Sequence, residues 1–356
     1  MTQGSGMTFS VDGWDPSYGA SLEIEGQLEE STARIDPSVE LPADRWRPID
    51  PDTAGPLPEA LLFVDGVRRV EAQVWIDGGT GRAPVDVTTG EVQPPEAPAS
   101  TEATAALCAS YAAGAVCCCA AGAHLVASES GRGLFSVAPH ASDILTRAGA
   151  YKAFHVTIKR AGAPVMTALS ASLQRRLAAV EVEVAKAARD AAAGTAAAPG
   201  GHPGPTGNDL LIVDGPLLGR QHLERALGYI KSHHATYLPP ELNALVGALT
   251  PGQRTPAFHM GTNWERHSWY LRLPGPKGAP WSGVVRIECA PDLPADEVTR
   301  LAGLSQRCLG RFASAPYKDS RAPQNLYPIA GLERELRRRL GDPKLLYRAL
   351  RAASSS

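Results

Sequence analysis

This sequence predicts a mixed α/β protein, a mixed β-sheet flanked by helices and followed by a C-terminal helical part. Three observations carry that expectation. Apolar runs of strand length cluster early in the chain and recur after residue 208, most of them bounded by Gly, Pro or Asp. Between Met166 and Ala193 the pattern switches, and Leu169, Leu173, Leu177, Val180 and Val184 recur at the three- and four-residue spacing of a helix. Apolar residues make up 44% of the 356 and charged residues 20%, enough to build a sizeable core and to exclude disorder throughout.

Taken in order, residues 1–57 read as an acidic, Pro-containing N-terminal extension, followed by one domain over 58–350. Leu61-Leu62-Phe63-Val64 is a buried strand that delivers Asp65 to its tip, where Asp65-Gly66 reads as a turn. Val70, Ala72, Val74 and Ile76 alternate with polar neighbours, so a second strand is expected to fold back on the first as a hairpin. Residues 78–102 and 194–208 are Gly-, Pro-, Thr- and Ala-rich and read as loops. The run through Cys117-Cys118-Cys119 and the stretch Leu134-Phe135-Ser136-Val137 are further strands of the sheet. Leu210-Leu211-Ile212-Val213-Asp214-Gly215 then repeats the device of four apolar residues, Asp and Gly. Helices are expected near 220–229 and 240–249, strands at 255–260, 267–273 and 283–289, and helices again over 295–313 and 330–350.

Global counts mostly exclude. The apolar stretch from Ala105 to Val126 contains Ser110, Tyr111, two glycines and His124, which argues against a membrane-spanning helix. The six cysteines form no C-x-x-C pair and have no His at zinc-site spacing, so core packing in a reducing cytoplasm is their simplest role. No signal peptide is visible in the first thirty residues. There is no phosphate-cradling nucleotide loop, since Gly215-Pro216-Leu217-Leu218-Gly219-Arg220 is too short and lacks Lys-Ser/Thr, and no G-x-S-x-G or H-E-x-x-H. The net charge of −2 hides a split: residues 1–60 carry twelve acids and three bases, residues 300–351 twelve bases and four acids.

The chemistry-bearing residues are few. Asp65 and Asp214 each end an apolar strand, and neighbouring strand tips lie about 5 Å apart, close enough to share a hard divalent cation such as Mg²⁺ or Mn²⁺. Glu181 and Glu183 on the 166–193 helix are both candidates for a third ligand. Each lies roughly 80° from the centre of the apolar stripe, so periodicity does not choose between them, and both also fit as solvated boundary charges. Arg334, Arg337 and Arg338 share a helix face at i, i+3 and i+4, either a solvated face or one that follows phosphates. Trp264, Trp269 and Tyr270 are core residues or stacking platforms, and His233-His234 a surface pair or a metal or phosphate contact.

Downstream of Asp214 the order Gly228-Tyr229-Ile230-Lys231, His267-Ser268-Trp269-Tyr270-Leu271-Arg272-Leu273, Trp281 through Val284-Val285-Arg286-Ile287-Glu288, and finally Tyr327-Pro328 becomes recognisable. Together with the two strand-Asp-Gly units, it resembles the NurA nuclease family from about Leu61 to Leu350. The resemblance implies a ribonuclease H-like fold, a homodimer, a Mn²⁺ (or Mg²⁺) cofactor, and DNA cleavage in company with the HerA-type hexameric ATPase. It further implies that Asp65, Asp214 and Glu181 (or Glu183) hold the metal, that Lys231 holds a scissile phosphate, and that Arg286 lies near the site. One departure is plain: many members carry a His shortly after Tyr-Pro, whereas Leu332-Glu333-Arg334-Glu335 follows here. A catalytically weak subunit that shapes a motor's DNA channel is therefore the second expectation. The acidic extension is expected to fold or dock on a partner.

Overall fold

In the computed structural model, residues 33–52, 54–77, 103–158, 164–194, 208–233, 235–275 and 281–354 are described. Most of the expected loops 78–102 and 194–208, the first part of the acidic extension, and His234 lie outside them. The chain divides into two compact units: Met1–Asp65, Ala115–Ala127 and Ala185–Leu332 form the first, and Gly66–Gly114, Ser128–Val184 and Glu333–Ser356 the second.

Three long strands take part in both units: β2 (Ala60–Ile76), β3 (Thr104–Cys119) and β4 (Gly122–Ser136), preceded by a short β1 (Arg34–Asp36). The expected hairpin between residues 61 and 76 does not form, because β2 runs straight through Asp65 and Gly66. Gly66 is needed for clearance and not for a turn. In the second unit a Cβ at Gly66 would meet Leu177 Cδ1 at 2.8 Å and Glu181 Oε1, both on the helix packed over it. Gly66→Ala should accordingly cost about 1–3 kcal/mol of overpacking, read as a lower urea midpoint, and an unchanged midpoint would contradict this packing.

The second unit also contains β5 (Ile144–Thr146), β6 (Gly149–His155), α1 (Val165–Gly194) up to Val184, and α5 (Pro343–Ala353). Its strand order is β2-β3-β4-β6-β5, with β4 and β6 parallel. Ala106, Cys108, Leu134 and Tyr151 form a buried cluster against which Leu350 of α5 packs. The stripe predicted for α1 is the buried one: Leu169, Leu173, Leu177, Val180 and Val184 are at most 3% exposed.

In the first unit, β7 (Asp209–Asp214), β8 (Ala226–Ile230), β9 (Phe258–Gly261), β10 (Glu265–Arg272) and β11 (Val284–Cys289) join β1 and the start of β2 in the order β1-β9-β10-β11-β8-β7-β2. The β2-β7 and β7-β8 pairs are parallel, and β8-β11, β11-β10 and β10-β9 antiparallel. This is a mixed sheet, as expected, with helices on its two faces. Trp269 and Leu271 of β10 face a core shared with Val298, Leu301 and Leu304 of α3 (Ala295–Leu309). Tyr270 between them faces a second core with Val246 of α2 (Pro240–Ala248). Trp269 and Tyr270 are thus core residues, not stacking platforms.

The helix expected at 220–229 is instead turns followed by β8. Pro216 and the left-handed Gly215, Gly219 and Arg225 break any helix there, and Leu227 and Tyr229 alternate into the core as a strand requires. Residues 33–57, expected as an extension, belong to the first unit. Arg34–Asp36 pairs with β9, Trp46 packs beside Phe258, and the Glu40 carboxylate holds buried Arg254 at 2.7 Å through both oxygens. The apolar stretch Ala105–Val126 is strand, turn and strand, and among the described residues no helix is long and apolar enough to cross a membrane.

Candidate active site

The site is built where β2 and β7 run side by side. Their parallel register pairs Leu61 with Leu210 and Val64 with Val213, and the same register continued by one residue brings Asp65 opposite Asp214. Strand spacing places the two residues about 4.8 Å apart, backbone to backbone. The apolar residues before each acid are fully or almost fully buried, so the ladder holds both carboxylates on a rigid support. Asp65 is 6% exposed; β7 ends at Asp214, where Gly215 turns the chain with φ +96°. One of the two Asp-Gly pairs is therefore a turn and the other lies within a strand.

Lys231 follows β8 directly, and its ammonium donates to Asp214 Oδ2 at 2.7 Å and to Asn325 Oδ1 at 3.1 Å. Asn325 is oriented in turn by donating from Nδ2 to Asp319 Oδ2 at 2.7 Å. The other oxygen of Asp214, Oδ1, is buried and has no hydrogen-bond partner among the described residues. Such an oxygen is costly unless a donor or a cation meets it. Tyr229, whose hydroxyl donates to the Gln324 carbonyl at 2.6 Å, has its pKa pushed well up by burial and then by the Asp214 charge, so it stays a neutral phenol.

A cleft of about 370 Å³ opens onto this corner, lined by Asp214, Pro216, Lys231, His233, Tyr237 and Arg286 among others. Arg286 is largely buried: its Nη1 donates to Glu288 Oε2 at 3.0 Å, and its guanidinium lies over the Tyr237 ring. Glu288 has no exposed surface and accepts from the Leu217 backbone N–H at 2.7 Å as well. Gly228, opposite Glu288 in the β8–β11 register, makes room for it, since a Cβ there would meet Glu288 Cγ at 2.7 Å. The Gly of Gly228-Tyr229-Ile230-Lys231 and the Glu of Arg286-Ile287-Glu288 thus explain each other.

Sequence reading missed Arg220, Asp319 and Asn325. Arg220 is buried, and burial lowers its pKa, while the Asp65 and Glu288 carboxylates act to raise it. No spacing rule points to it, because the Pro-Leu-Leu-Gly turn that delivers it looks like any loop.

In the second unit, Glu181 is 5% exposed and lies over Gly66, the residue after Asp65. Glu183 is half exposed and 3.9 Å from Arg176. Arg334, Arg337 and Arg338 are exposed on α4 (Tyr327–Arg339) as the spacing predicted. Glu333 approaches Arg337 at 3.6 Å and Glu335 approaches Arg338 at 3.6 Å, so those charges are partly offset.

The carboxylates at 65 and 214 suit a hard cation by donor type, and the unpartnered Asp214 Oδ1 gives one a ligand. No group of three carboxylate, thiol or imidazole ligand atoms containing them lies within 4.8 Å among the described residues. No protein-family model matches the chain, and no curated protein matches it. Among solved structures the chain is similar to the crystal structure of the NurA nuclease from Sulfolobus solfataricus, at 10% identity and TM-score 0.41, over 86% of this chain and 88% of that one.

Proposed function

We propose that this protein is a metal-dependent DNA nuclease of NurA type, with Asp65 and Asp214 holding a Mn²⁺ or Mg²⁺ ion. The observation that carries the reading is the parallel register of β2 and β7, whose paired positions run to Val64 and Val213, the residues just before Asp65 and Asp214, with Lys231 2.7 Å from Asp214. A bound divalent cation supplies an activated water at neutral pH and offsets charge on the phosphate. Lys231 has a distinct part. An ammonium has three N–H donors, Asp214 and Asn325 take two, and the third is available for a non-bridging phosphate oxygen in the cleft. Asp319 and Asn325 fix the direction of that donor, and Arg286 adds positive charge to the wall.

Glu181 is the candidate third carboxylate of this proposal, with Glu183 as its alternative. Glu181 is 5% exposed, whereas Glu183 is half exposed and faces Arg176. Glu181→Gln should lower metal-dependent cleavage of single-stranded DNA about 10²-fold or more, and Glu183→Gln less than about threefold. Equal losses in both would remove Glu181 from the site.

DNA ends, a HerA-type ATPase and a homodimeric assembly complete the proposal, since the chain has no nucleotide-binding loop of its own. The exposed Arg334, Arg337 and Arg338 follow the phosphates. Replacing all three by Ser should weaken DNA binding and flatten its salt dependence, the slope falling by two to three phosphate equivalents at roughly 0.7 per contact on single strands. An unchanged slope would return these residues to a solvated face. The second reading, a weakly catalytic channel subunit, draws on the missing His and on Lys231 already neutralising Asp214. Purified chain that binds DNA but does not cut it across a Mn²⁺, Mg²⁺ and Co²⁺ series would support that reading.

A further inference from the structure

β3 and β4 are joined by a two-residue turn at Ala120 and Ala121, and three soft ligands converge at that end of the hairpin. Alternation along β3 puts Cys117 and Cys119 on one face and Cys118 on the other, where Cys118 joins the apolar core with Leu61 and Phe63. β4 then brings His124 back to the two outer cysteines. One ligand atom from each of Cys117, Cys119 and His124 lies within 4.8 Å of the other two, and this is the one such group of three among the described residues. All three residues belong to the first unit, and both cysteines are free thiols.

We propose that Cys117, Cys119 and His124 form a binding site for a thiophilic divalent cation, zinc by its chemistry. In a tetrahedral zinc site with Zn–S about 2.3 Å and Zn–N about 2.0 Å, ligand atoms stand about 3.3–3.8 Å apart. With its ligand atoms within 4.8 Å of one another, the observed group needs at most about 1.0–1.5 Å of closure, within reach of side-chain rotation. Two thiolates and an imidazole select zinc over Mn²⁺ or Mg²⁺, which prefer oxygen. The first unit thus carries two cation sites of opposite hardness, carboxylates at 65 and 214 and sulfur and nitrogen here.

Access is built in. Cys119 and His124 are partly exposed, and Cys119 lines an open cavity of about 360 Å³ with Glu59 and Arg311. Three protein ligands leave a fourth position for water or for the exposed Glu59 carboxylate. The role is a clamp on the hairpin end: a metal bridging β3 and β4 closes the turn beside Gly122 (φ +106°), whose carbonyl already accepts from the Cys119 thiol at 3.8 Å. Binding displaces the two thiol protons, so it weakens as pH falls.

The experiment uses the full chain, reduced and stripped of metal by a chelator, then titrated with Co²⁺ and afterwards Zn²⁺. One Co²⁺ per chain should produce a thiolate-to-cobalt charge-transfer band in the near ultraviolet, abolished by one equivalent of Zn²⁺. The band should persist in Cys118→Ala and in Asp65→Asn/Asp214→Asn, because oxygen ligands give no such transition. It should vanish in Cys119→Ser, and His124→Ala should weaken Co²⁺ binding at least tenfold. Both replaced residues are partly exposed, and a thermal melt of each variant checks folding. A wild-type chain without the band, or a band of equal strength in Cys119→Ser, would overturn the site.

Discussion

Asp214→Asn and Asp65→Asn should each reduce divalent-cation-dependent DNA cleavage by about 10³-fold or more, equivalent to about 4 kcal/mol of transition-state stabilisation. The magnitude follows from what each oxygen does. Asp214 uses Oδ2 for Lys231 and leaves Oδ1 for a cation, so an amide at this position both weakens the cation ligand and removes the anion that holds the ammonium. Asp65 is buried beside the register position of Asp214, and its charge is felt by buried Arg220. The two variants should therefore both lose stability, by different routes. Asp65→Asn leaves Arg220 with less opposing charge, and Asp214→Asn leaves the mostly buried Lys231 ammonium without its 2.7 Å anion, so both should melt earlier and Asp214→Asn the more so. Raising Mn²⁺ should partly rescue whichever variant keeps a usable oxygen. Cleavage at wild-type rate in either folded variant would remove that aspartate from the chemistry. Lys231→Met offers the complementary reading: if the ammonium holds phosphate, kcat should fall more than metal affinity, whereas a merely structural pair would change stability and little else.

These residues show why part of the site was legible in the sequence and part was not. Two acids that each follow four apolar residues imply adjacent buried strands, and that inference needs only the length of the runs and the side-chain alternation of a strand. What the local pattern cannot carry is the reason for a glycine. Gly215 is a turn glycine with φ +96°, while Gly66 is flat and exists because Leu177 and Glu181 press on it, a contact between residues more than a hundred positions apart. Reading both as turns invented a hairpin where one 17-residue strand runs. The helix expected at 220–229 failed for a related cause. Leu217, Leu218, Leu223 and Leu227 have no strand alternation, and only the neighbours β7 and β11 make residues 226–230 a strand. Glu181 and Glu183 were equivalent by angle about the helix axis, and burial alone separates them. The cysteines were read as core one at a time. Cys118 is core, but the alternation that places it there turns its two neighbours toward His124, a consequence that needs the hairpin turn at Ala120 and Ala121 to bring β4 back.

Glu288→Gln should cost about 3–5 kcal/mol and lower the urea midpoint accordingly. The carboxylate is wholly buried and is the shared counter-charge of two guanidinium groups, Arg286 Nη1 at 3.0 Å and Arg266 Nε at 3.3 Å, whose side chains are only 7% and 4% exposed. Burial already lowers the Arg266 pKa, and the like charge of Arg286 lowers it further, so the pair repels and depends on the anion between. Glutamine keeps the shape, and its amide oxygen can still accept from Leu217, but it leaves two buried cations without neutralisation. Stability lost by breaking such a network exceeds what the network contributes against an apolar replacement. That difference is itself measurable: Arg266→Met/Glu288→Leu/Arg286→Met should recover most of the stability that Glu288→Gln loses. The same triple variant should bind DNA poorly, because Arg286 lines the cleft beside Lys231 and the Leu217 turn that Glu288 anchors begins three residues after Asp214. A Glu288→Gln midpoint within about 1 kcal/mol of wild type would mean that solvent reaches the two arginines and that the cleft wall is softer than its burial implies.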